Sequence, residues 1–156
     1  MSDGDIKIHR GLNNVYFDRT KTTYINGKEG VLEYRGYNIH DLAEKSSFEE
    51  VSYLLLYGKL PTKSELASFD SSLKKSREIP SEIIDIIRSI KDSHPMDVLR
   101  TAVSALSTFD EETFDKSYDA TMRKGIRLTS QVPTIVMAHN SIRNGKDPVE
   151  PSKDLS

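Results

Sequence analysis

HPMDVLRTAVSAL, residues 94–106, is the stretch that decides the fold, because it predicts the clearest helix in the chain. Large apolar side chains recur in it at spacings of three and four and predict an apolar stripe along one face: Met96, Leu99, Val103 and Leu106. Pro95 suits the first helical position, where its missing N–H costs nothing, and His94 or Ser93 suits the cap before it. A helix this short is marginal alone in water. We therefore expect it, over 95–109, to pack at the centre of a helical bundle or an interface.

The composition is that of a soluble, fairly polar chain. Its 156 residues are enough for one domain with a core of its own. The 22 basic and 24 acidic residues are spread along the sequence and give no cationic surface for a nucleic acid. The absence of cysteine excludes disulfides and thiolate chemistry and favours a cytoplasmic location. Since no apolar run approaches the roughly 18 residues of a membrane span, we expect neither a nucleic acid nor a membrane as partner.

The N-terminal region has β character. Residues 1–10 are polar and predict a flexible arm, in which the Ile6-Lys7-Ile8 alternation suits a short edge strand. Two β-prone runs follow, joined by Asn26 and Gly27, which suit a tight reversal. The sequence therefore predicts a β-hairpin over about 22–35, which must pack on a helical body because an isolated hairpin is barely stable.

Helical patterns occupy the chain from about 39 to 144. A short helix over 39–44 is followed by two capping boxes, in which a hydroxyl accepts from the third helical N–H and a glutamate reaches back to the cap. These boxes are Ser47 with Glu50, and Thr62 with Glu65. They predict one helix that ends at Gly58 and a second that continues to about Arg77.

The second half of the chain predicts the apolar core. Pro80 opens a helix whose isoleucines cover two faces and should be largely buried: Ile83, Ile84, Ile86, Ile87 and Ile90. Only a short link separates this helix from the one over 95–109, so we expect an antiparallel pair. The pattern from 113 to 144 is also helical, but Pro133 lacks the N–H of an internal helical bond. We expect the proline to kink or split that segment into two unequal helices.

The histidines offer no metal site. His9, His40, His94 and His139 lie far apart, and none has the spacing of a metal-binding pair. A neutral imidazole at a helix start can polarise a carbonyl, but for His94 a capping role is favoured. His139 is expected to be a partly exposed helix residue. No metal and no cofactor are therefore expected.

Two other groups of polar residues have both a structural and a functional interpretation. Arg35 lies between Tyr34 and Tyr37, where its guanidinium suits either a bound anion or a tether for the hairpin, and the tether is favoured. The acidic pairs 49–50 and 111–112 are expected in first helical turns, where carboxylates interact favourably with the helix dipole. They are therefore not interpreted as an acid–base dyad.

Several motifs, taken in order, resemble the citrate synthase family, including its 2-methylcitrate synthases. They are GLNNV at 11–15, ING at 25–27, LEYRGY at 32–37, FEEVSYLLLYGKLP at 48–61 and HPMDVLR at 94–100. The similarity covers nearly all of the chain from Gly11 onward and corresponds to the N-terminal part of the family's large domain. It implies a mainly all-α fold with a small N-terminal β-hairpin. Residues 11–156 then form a portion of that domain, and the small domain and the C-terminal part are absent.

The resemblance also implies a chemistry. Members of the family are acyltransferases of the tricarboxylic acid cycle that condense acetyl-CoA with oxaloacetate to give citrate and CoA. An aspartate removes a methyl proton, while histidines stabilise the enol and polarise the keto group. These residues and the substrate-binding arginines lie downstream of every motif matched here, so no catalytic residue and no cofactor-binding residue carries over. We therefore expect the isolated chain to be inactive.

The resemblance implies a homodimer as well, because family members pair through a sandwich of antiparallel helices. Segments 81–90 and 95–109 correspond to two contributors to that sandwich. The predicted interface residues are Ile84, Ile87, Leu99, Val103 and Leu106. Two alternatives to a citrate synthase fragment stay open: a 2-methylcitrate synthase fragment that uses propionyl-CoA, and a non-catalytic helical interaction or dimerisation module.

Overall fold

A computed structural model describes residues 11–12, 15 and 18–152. The arm predicted over 1–10, with its edge strand and His9, lies outside the described residues. The described elements begin with three short strands and continue with helices. The strands are β1 (Thr23–Asn26), β2 (Val31–Tyr34) and β3 (Tyr37–Asn38). The helices are α1 (Ile39–Lys45), α2 (Phe48–Tyr57), α3 (Lys63–Lys75), α4 (Ser81–Ser89), α5 (Pro95–Leu106) and α6 (Tyr118–Arg143).

The predicted hairpin is confirmed and is one strand larger than expected. β1 and β2 pair antiparallel, with Thr23 opposite Tyr34 and Asn26 opposite Val31. β3 adds a two-residue antiparallel edge on the other side of β2. A tight turn at 35–36 makes this third strand possible, because both of its residues have positive φ values, 51° and 87°. The sequence does not predict β3 because a strand of two residues is too short to show an alternation of apolar and polar side chains.

Arg35 ties the sheet to the helical body, as the tether interpretation predicts. Its backbone N–H donates to the Thr22 carbonyl at 2.9 Å, and its Nη2 donates to the Leu55 carbonyl near the end of α2 at 3.0 Å. The guanidinium also lies close to Gly58. A Cβ added to Gly58 would be 3.7 Å from Cζ, the guanidinium carbon of Arg35. Gly58 itself closes α2 with a φ of 81°, a conformation that glycine adopts without strain.

The predicted starts of α2, α3 and α5 are confirmed by their capping hydrogen bonds. Both capping boxes are present, at Ser47 and at Thr62. His94 caps α5, since its Nδ1 accepts from the Met96 N–H at 3.3 Å. The predicted ends are less accurate: α3 stops at Lys75, and α5 stops at Leu106, after which 107–109 form a turn of 3₁₀ helix.

The buried face of α5 differs from the predicted stripe. The fully enclosed residues are Val98 and Ala102, with Leu106 7% exposed, whereas Met96 is 63% exposed. The buried set still repeats at spacings of four, but it is rotated relative to the prediction, because α5 turns its small alanine toward α6. Similarly, the expectation that all five isoleucines of the α4 region are largely buried is too broad. Ile83 and Ile87 are fully buried, and the others only partly.

α6 is one continuous helix of 26 residues, so the expected split at Pro133 is wrong. The proline removes one backbone hydrogen bond, but α6 packs against α3, α4 and α5 along its length. Hydroxyl groups flank the proline and hydrogen-bond the backbone: Ser130 Oγ donates to the Ile126 carbonyl at 3.0 Å, and Thr134 Oγ1 donates to the Arg77 carbonyl at 2.9 Å. Tertiary packing therefore holds both halves in one helix.

The core of the described residues contains two apolar clusters, and α6 contacts both of them. The larger one joins α4, α5 and α6: Ile83, Ile87, Val98, Ala102, Leu106, Ile135, Ala138 and Ile142. The smaller one joins α2 and α3, with Ile126 of α6 packed against it: Tyr53, Phe69 and Leu73. α6 is therefore the element that the two clusters share, and α4 and α5 pack against it and against each other.

Candidate functional site

A groove lies beside the predicted interface. It has a volume of about 750 Å³ and lies between the start of α4, the end of α5, the turn at 110–113 and α6. Its walls are apolar where the helices meet, with Val103 of α5 facing the same space as Leu128 of α6. Its other end is polar. An apolar groove with a charged end suits a packing contact or a small ligand.

A network of ion pairs closes the polar end. Arg127 of α6 donates through Nη2 to Asp110 at 2.7 Å and through Nη1 to Glu112 at 2.9 Å. Arg123, one turn earlier on the same helix, also donates to Glu112. The neighbouring Lys124 donates to the Glu112 carbonyl at 3.1 Å. The turn after α5 is thus fastened to the first half of α6.

The network keeps its carboxylates ionised. Hydrogen bonds from Arg123 and then from Arg127 outweigh the opposing effect of burial and lower the pKa of Glu112 to about 2. The hydrogen bond from Arg127 likewise lowers the pKa of Asp110. Because both carboxylates are charged and paired, neither suits the role of a general acid. Their role is to hold the turn in place.

The structure corrects the predicted position of Glu111 and Glu112. They lie in the turn between the 3₁₀ segment and α6, and not in a first helical turn. α6 begins only at Tyr118, after Ser117, whose Oγ accepts from the Ala120 N–H at 3.3 Å. The pair at 49–50 does lie in the first turn of α2, as predicted.

The sequence analysis missed the arginines of this network. Arg123 and Arg127 are four positions apart, so they share a face of a helix. That spacing, together with the acidic residues at 110–112, indicates a possible set of ion pairs. The sequence analysis did not predict them because it placed the acidic pair in a first helical turn.

The five predicted interface residues fall into two groups. Ile87 is fully buried and Leu106 is 7% exposed, so both are held within the core of this chain and have almost no surface for a second one. Ile84, Leu99 and Val103 are only partly buried and pack around that core. The groove beside Val103 is also lined by Leu128 of α6, which is 41% exposed. Of the predicted set, these three residues have surface that another chain can cover.

Two of the described histidines, His94 and His139, have structural roles. His94 is the cap of α5, as favoured, and His40 lies exposed in the first turn of α1. His139 differs from the prediction: it is 5% exposed, and its Nε2 lies 3.0 Å from the Lys91 carbonyl in the link between α4 and α5. Since a carbonyl oxygen accepts, Nε2 is the protonated nitrogen. His139 therefore joins that link to α6, a contact that only the three-dimensional structure reveals.

Among the described residues, no group of three or more histidine, cysteine, aspartate or glutamate side chains could hold a metal ion. No helix in the same part of the chain is long and apolar enough to cross a membrane.

The fold defines a mainly α-helical domain with a small β-sheet at its start. The family model described as "Citrate synthase, C-terminal domain" matches residues 11–156. The chain therefore belongs to the citrate synthase family.

Curated relatives and solved structures agree with this assignment. The chain is 45% identical over 150 residues to a citrate synthase of Deinococcus radiodurans, covering 96% of this chain and 40% of that protein. It is 38% identical to 2-methylcitrate synthase 1 of Corynebacterium glutamicum, covering 94% and 39%. The crystal structure of citrate synthase from Pyrobaculum aerophilum superposes with a TM-score of 0.87 at 37% identity, over 93% of this chain and 39% of that one. The chain thus spans about 40% of the length of the relatives it matches.

Proposed function

We propose that this chain is the N-terminal segment of a citrate synthase, an acyltransferase that condenses acetyl-CoA with oxaloacetate to give citrate and CoA. The observation that carries the proposal is the family match over residues 11–156. A related structure, the citrate synthase from Thermoplasma acidophilum, is a ternary complex with carboxymethyl-CoA and oxaloacetate, and it superposes with a TM-score of 0.82 at 29% identity. That complex supports the two substrate classes for the whole enzyme.

The role proposed for this segment is scaffolding, with no catalytic residue of its own. His94 caps a helix, His139 joins α6 to the link between α4 and α5, and the carboxylates at 110 and 112 are paired with arginines. Such groups hold elements in place and have no free proton-transfer function. The catalytic groups of the reaction are proposed to come from the portion of the enzyme that this segment does not span.

A second candidate function is 2-methylcitrate synthesis from propionyl-CoA. Two of the similar relatives, both from Corynebacterium glutamicum, are named 2-methylcitrate synthases and are 38% and 37% identical to this chain. Citrate synthases from Synechocystis and Haloferax volcanii are 36% and 39% identical. Identity therefore does not separate the two acyl donors, and citrate synthase is placed first on the 45% identity to the Deinococcus protein.

We also propose that the assembled protein is a homodimer that uses the partly exposed side of α4 and α5. Ile84, Leu99 and Val103 are apolar, belong to the rim of the core and are not fully enclosed by this chain. Covering them with a second copy removes apolar area from water, which favours association. The groove that Val103 lines extends the same surface toward α6.

The proposed scaffolding role is tested with the purified chain in a CoA-release assay. With acetyl-CoA and oxaloacetate, and separately with propionyl-CoA and oxaloacetate, we expect no turnover above a protein-free blank. Robust release of CoA in either reaction would contradict the proposal that the catalytic groups lie outside this segment. A full-length citrate synthase in the same buffer serves as the positive control.

A further inference from the structure

The chain contains two Asn-Gly dipeptides in different surroundings. In one, Asn26-Gly27, the asparagine is the last paired residue of β1 and the glycine begins the turn that follows. The other, Asn144-Gly145, follows the last residue of α6. In such a dipeptide the backbone nitrogen of the glycine can attack the side-chain carbonyl carbon of the asparagine. Ammonia leaves, a cyclic imide forms, and water opens the ring to aspartate or isoaspartate. Glycine allows this reaction because it has no side chain to hinder the approach and few limits on its backbone angles.

The contacts of Asn26 favour this attack. Its Oδ1 accepts from the backbone N–H groups of Lys28 at 3.2 Å and Glu29 at 3.4 Å. This arrangement folds the side chain forward over the backbone of Gly27, and the two donors polarise the carbonyl that must be attacked. The turn at 27–30 is exposed, so water reaches the imide. The hydrogen bond from Asn26 Nδ2 to the Glu29 carboxylate, at 2.8 Å, is also exposed. Water can replace it, so it does little to prevent the loss of ammonia.

The contacts of Asn144 oppose it. Its Nδ2 donates backward to the Asn140 carbonyl at 2.7 Å, so its side chain is directed away from the residue that follows. The attacking nitrogen is also engaged, since the Gly145 N–H donates to the Ile142 carbonyl at 3.0 Å. Deamidation at this site requires the end of α6 to open first, which lowers the reactive population.

We propose that Asn26 is a site of non-enzymatic deamidation in the folded chain and that the helix end protects Asn144. The reaction exchanges the amide nitrogen of Asn26 for an oxygen of water and releases ammonia, with no change of oxidation state. Both products alter the turn. Aspartate places a carboxylate where Nδ2 now contacts Glu29, so attraction becomes repulsion. Isoaspartate adds a methylene to the main chain beside the Asn26–Val31 pair of the sheet, which disturbs the register.

The test is a time course of the full chain at pH 8 and 37 °C, followed by digestion after lysine and mass spectrometry. Cleavage after lysine separates the two sites, on peptides 22–28 and 125–146. We expect peptide 22–28 to gain about one dalton and to split into aspartate and isoaspartate forms. The reaction at Asn26 should be at least about tenfold faster than at Asn144, because the latter site must first break its hydrogen bonds. In denaturing urea the two rates should become similar.

Gly27→Ala is the matched control. An added Cβ at Gly27 meets no heavy atom within 4 Å, and the residue has no positive φ, so the variant fits the turn, as circular dichroism can verify. It should slow the reaction at position 26 by hindering the attacking nitrogen, without changing position 144. The proposal is overturned if folded Asn26 reacts no faster than Asn144. It is also overturned if Gly27→Ala deamidates as fast as the parent chain.

Discussion

Truncation of Ile87 measures how firmly α4 is packed against α5 and α6. Ile87 is fully buried in the larger apolar cluster. Ile87→Ala removes three carbon groups, worth about 2.4 kcal/mol at about 0.8 kcal/mol each, and leaves a cavity that adds to the loss. We expect the free energy of unfolding to fall by about 3 to 4 kcal/mol, and Ile87→Val to lower it by about 1 kcal/mol. For a domain of this size the Ala variant should melt roughly 6 to 15 °C lower.

Ile84→Ala on the same helix is the control. Ile84 is only partly buried, so we expect a loss of about 1 kcal/mol in a monomer, in proportion to its smaller buried area. Urea unfolding followed by circular dichroism gives both values by linear extrapolation. Repeating it at two protein concentrations separates core from interface, because stability that comes from dimerisation depends on concentration. A loss below about 1 kcal/mol for Ile87→Ala, or one equal to that of Ile84→Ala, would refute the core assignment.

Three further predictions concern the interface, the ion pairs and α6. Leu99→Asp or Val103→Asp should dissociate the proposed dimer, because each buries a charge at the apolar contact; light scattering that still reports a dimer would refute the interface. Glu112→Gln should lower stability at neutral pH. Because the folded-state pKa of Glu112 is about 2 against an ordinary 4.5, its contribution is complete above pH 4.5 and is lost as pH falls through about 2. In acid titrations between pH 4.5 and about 2, the variant should therefore lose less stability than the parent chain. Equal losses would argue against the ion pairs. Gly125→Ala should raise the free energy of unfolding by about 0.5 to 1 kcal/mol, because alanine has the higher helix propensity within α6. The added Cβ makes an ordinary 3.6 Å contact with Leu56 of α2. A destabilised variant would show that α2 and α6 are packed more closely there.

Local features of the fold could be predicted from the sequence. The caps at Ser47, Thr62 and His94 depend on hydrogen bonds that span two or three residues, and such bonds are encoded in short motifs. The hairpin was predictable for the same reason, since the reversal at 26–27 is local. Each of these features is specified by residues that lie close together in the sequence.

Features that depend on distant partners were not predictable. α6 stays continuous past Pro133 because other helices pack against both of its halves. The buried side of α5 is set by α6, which selects Val98 and Ala102 over the larger Met96. Periodicity shows that a helix has an apolar face, but spacings of three and four allow more than one choice of it.

The candidate site shows the same division. The sequence predicts interface residues on α4 and α5, but only the packed structure separates the enclosed Ile87 from the partly exposed Ile84. The ion pairs join groups 11 to 17 positions apart. The backbone conformation of the turn between them cannot be read from the acidic residues or from the arginines. The buried contact of His139 spans 48 positions.

The central claim is that this chain serves as the scaffold segment of a citrate synthase. It is tested most directly by replacing the matched segment of the Deinococcus radiodurans citrate synthase, which is 45% identical to it, with this chain. CoA release is then measured with acetyl-CoA and oxaloacetate, and in parallel with propionyl-CoA. We predict that the hybrid is dimeric and releases CoA with acetyl-CoA, whereas the isolated chain does not. A hybrid that folds and dimerises but releases no CoA with either donor would contradict the claim.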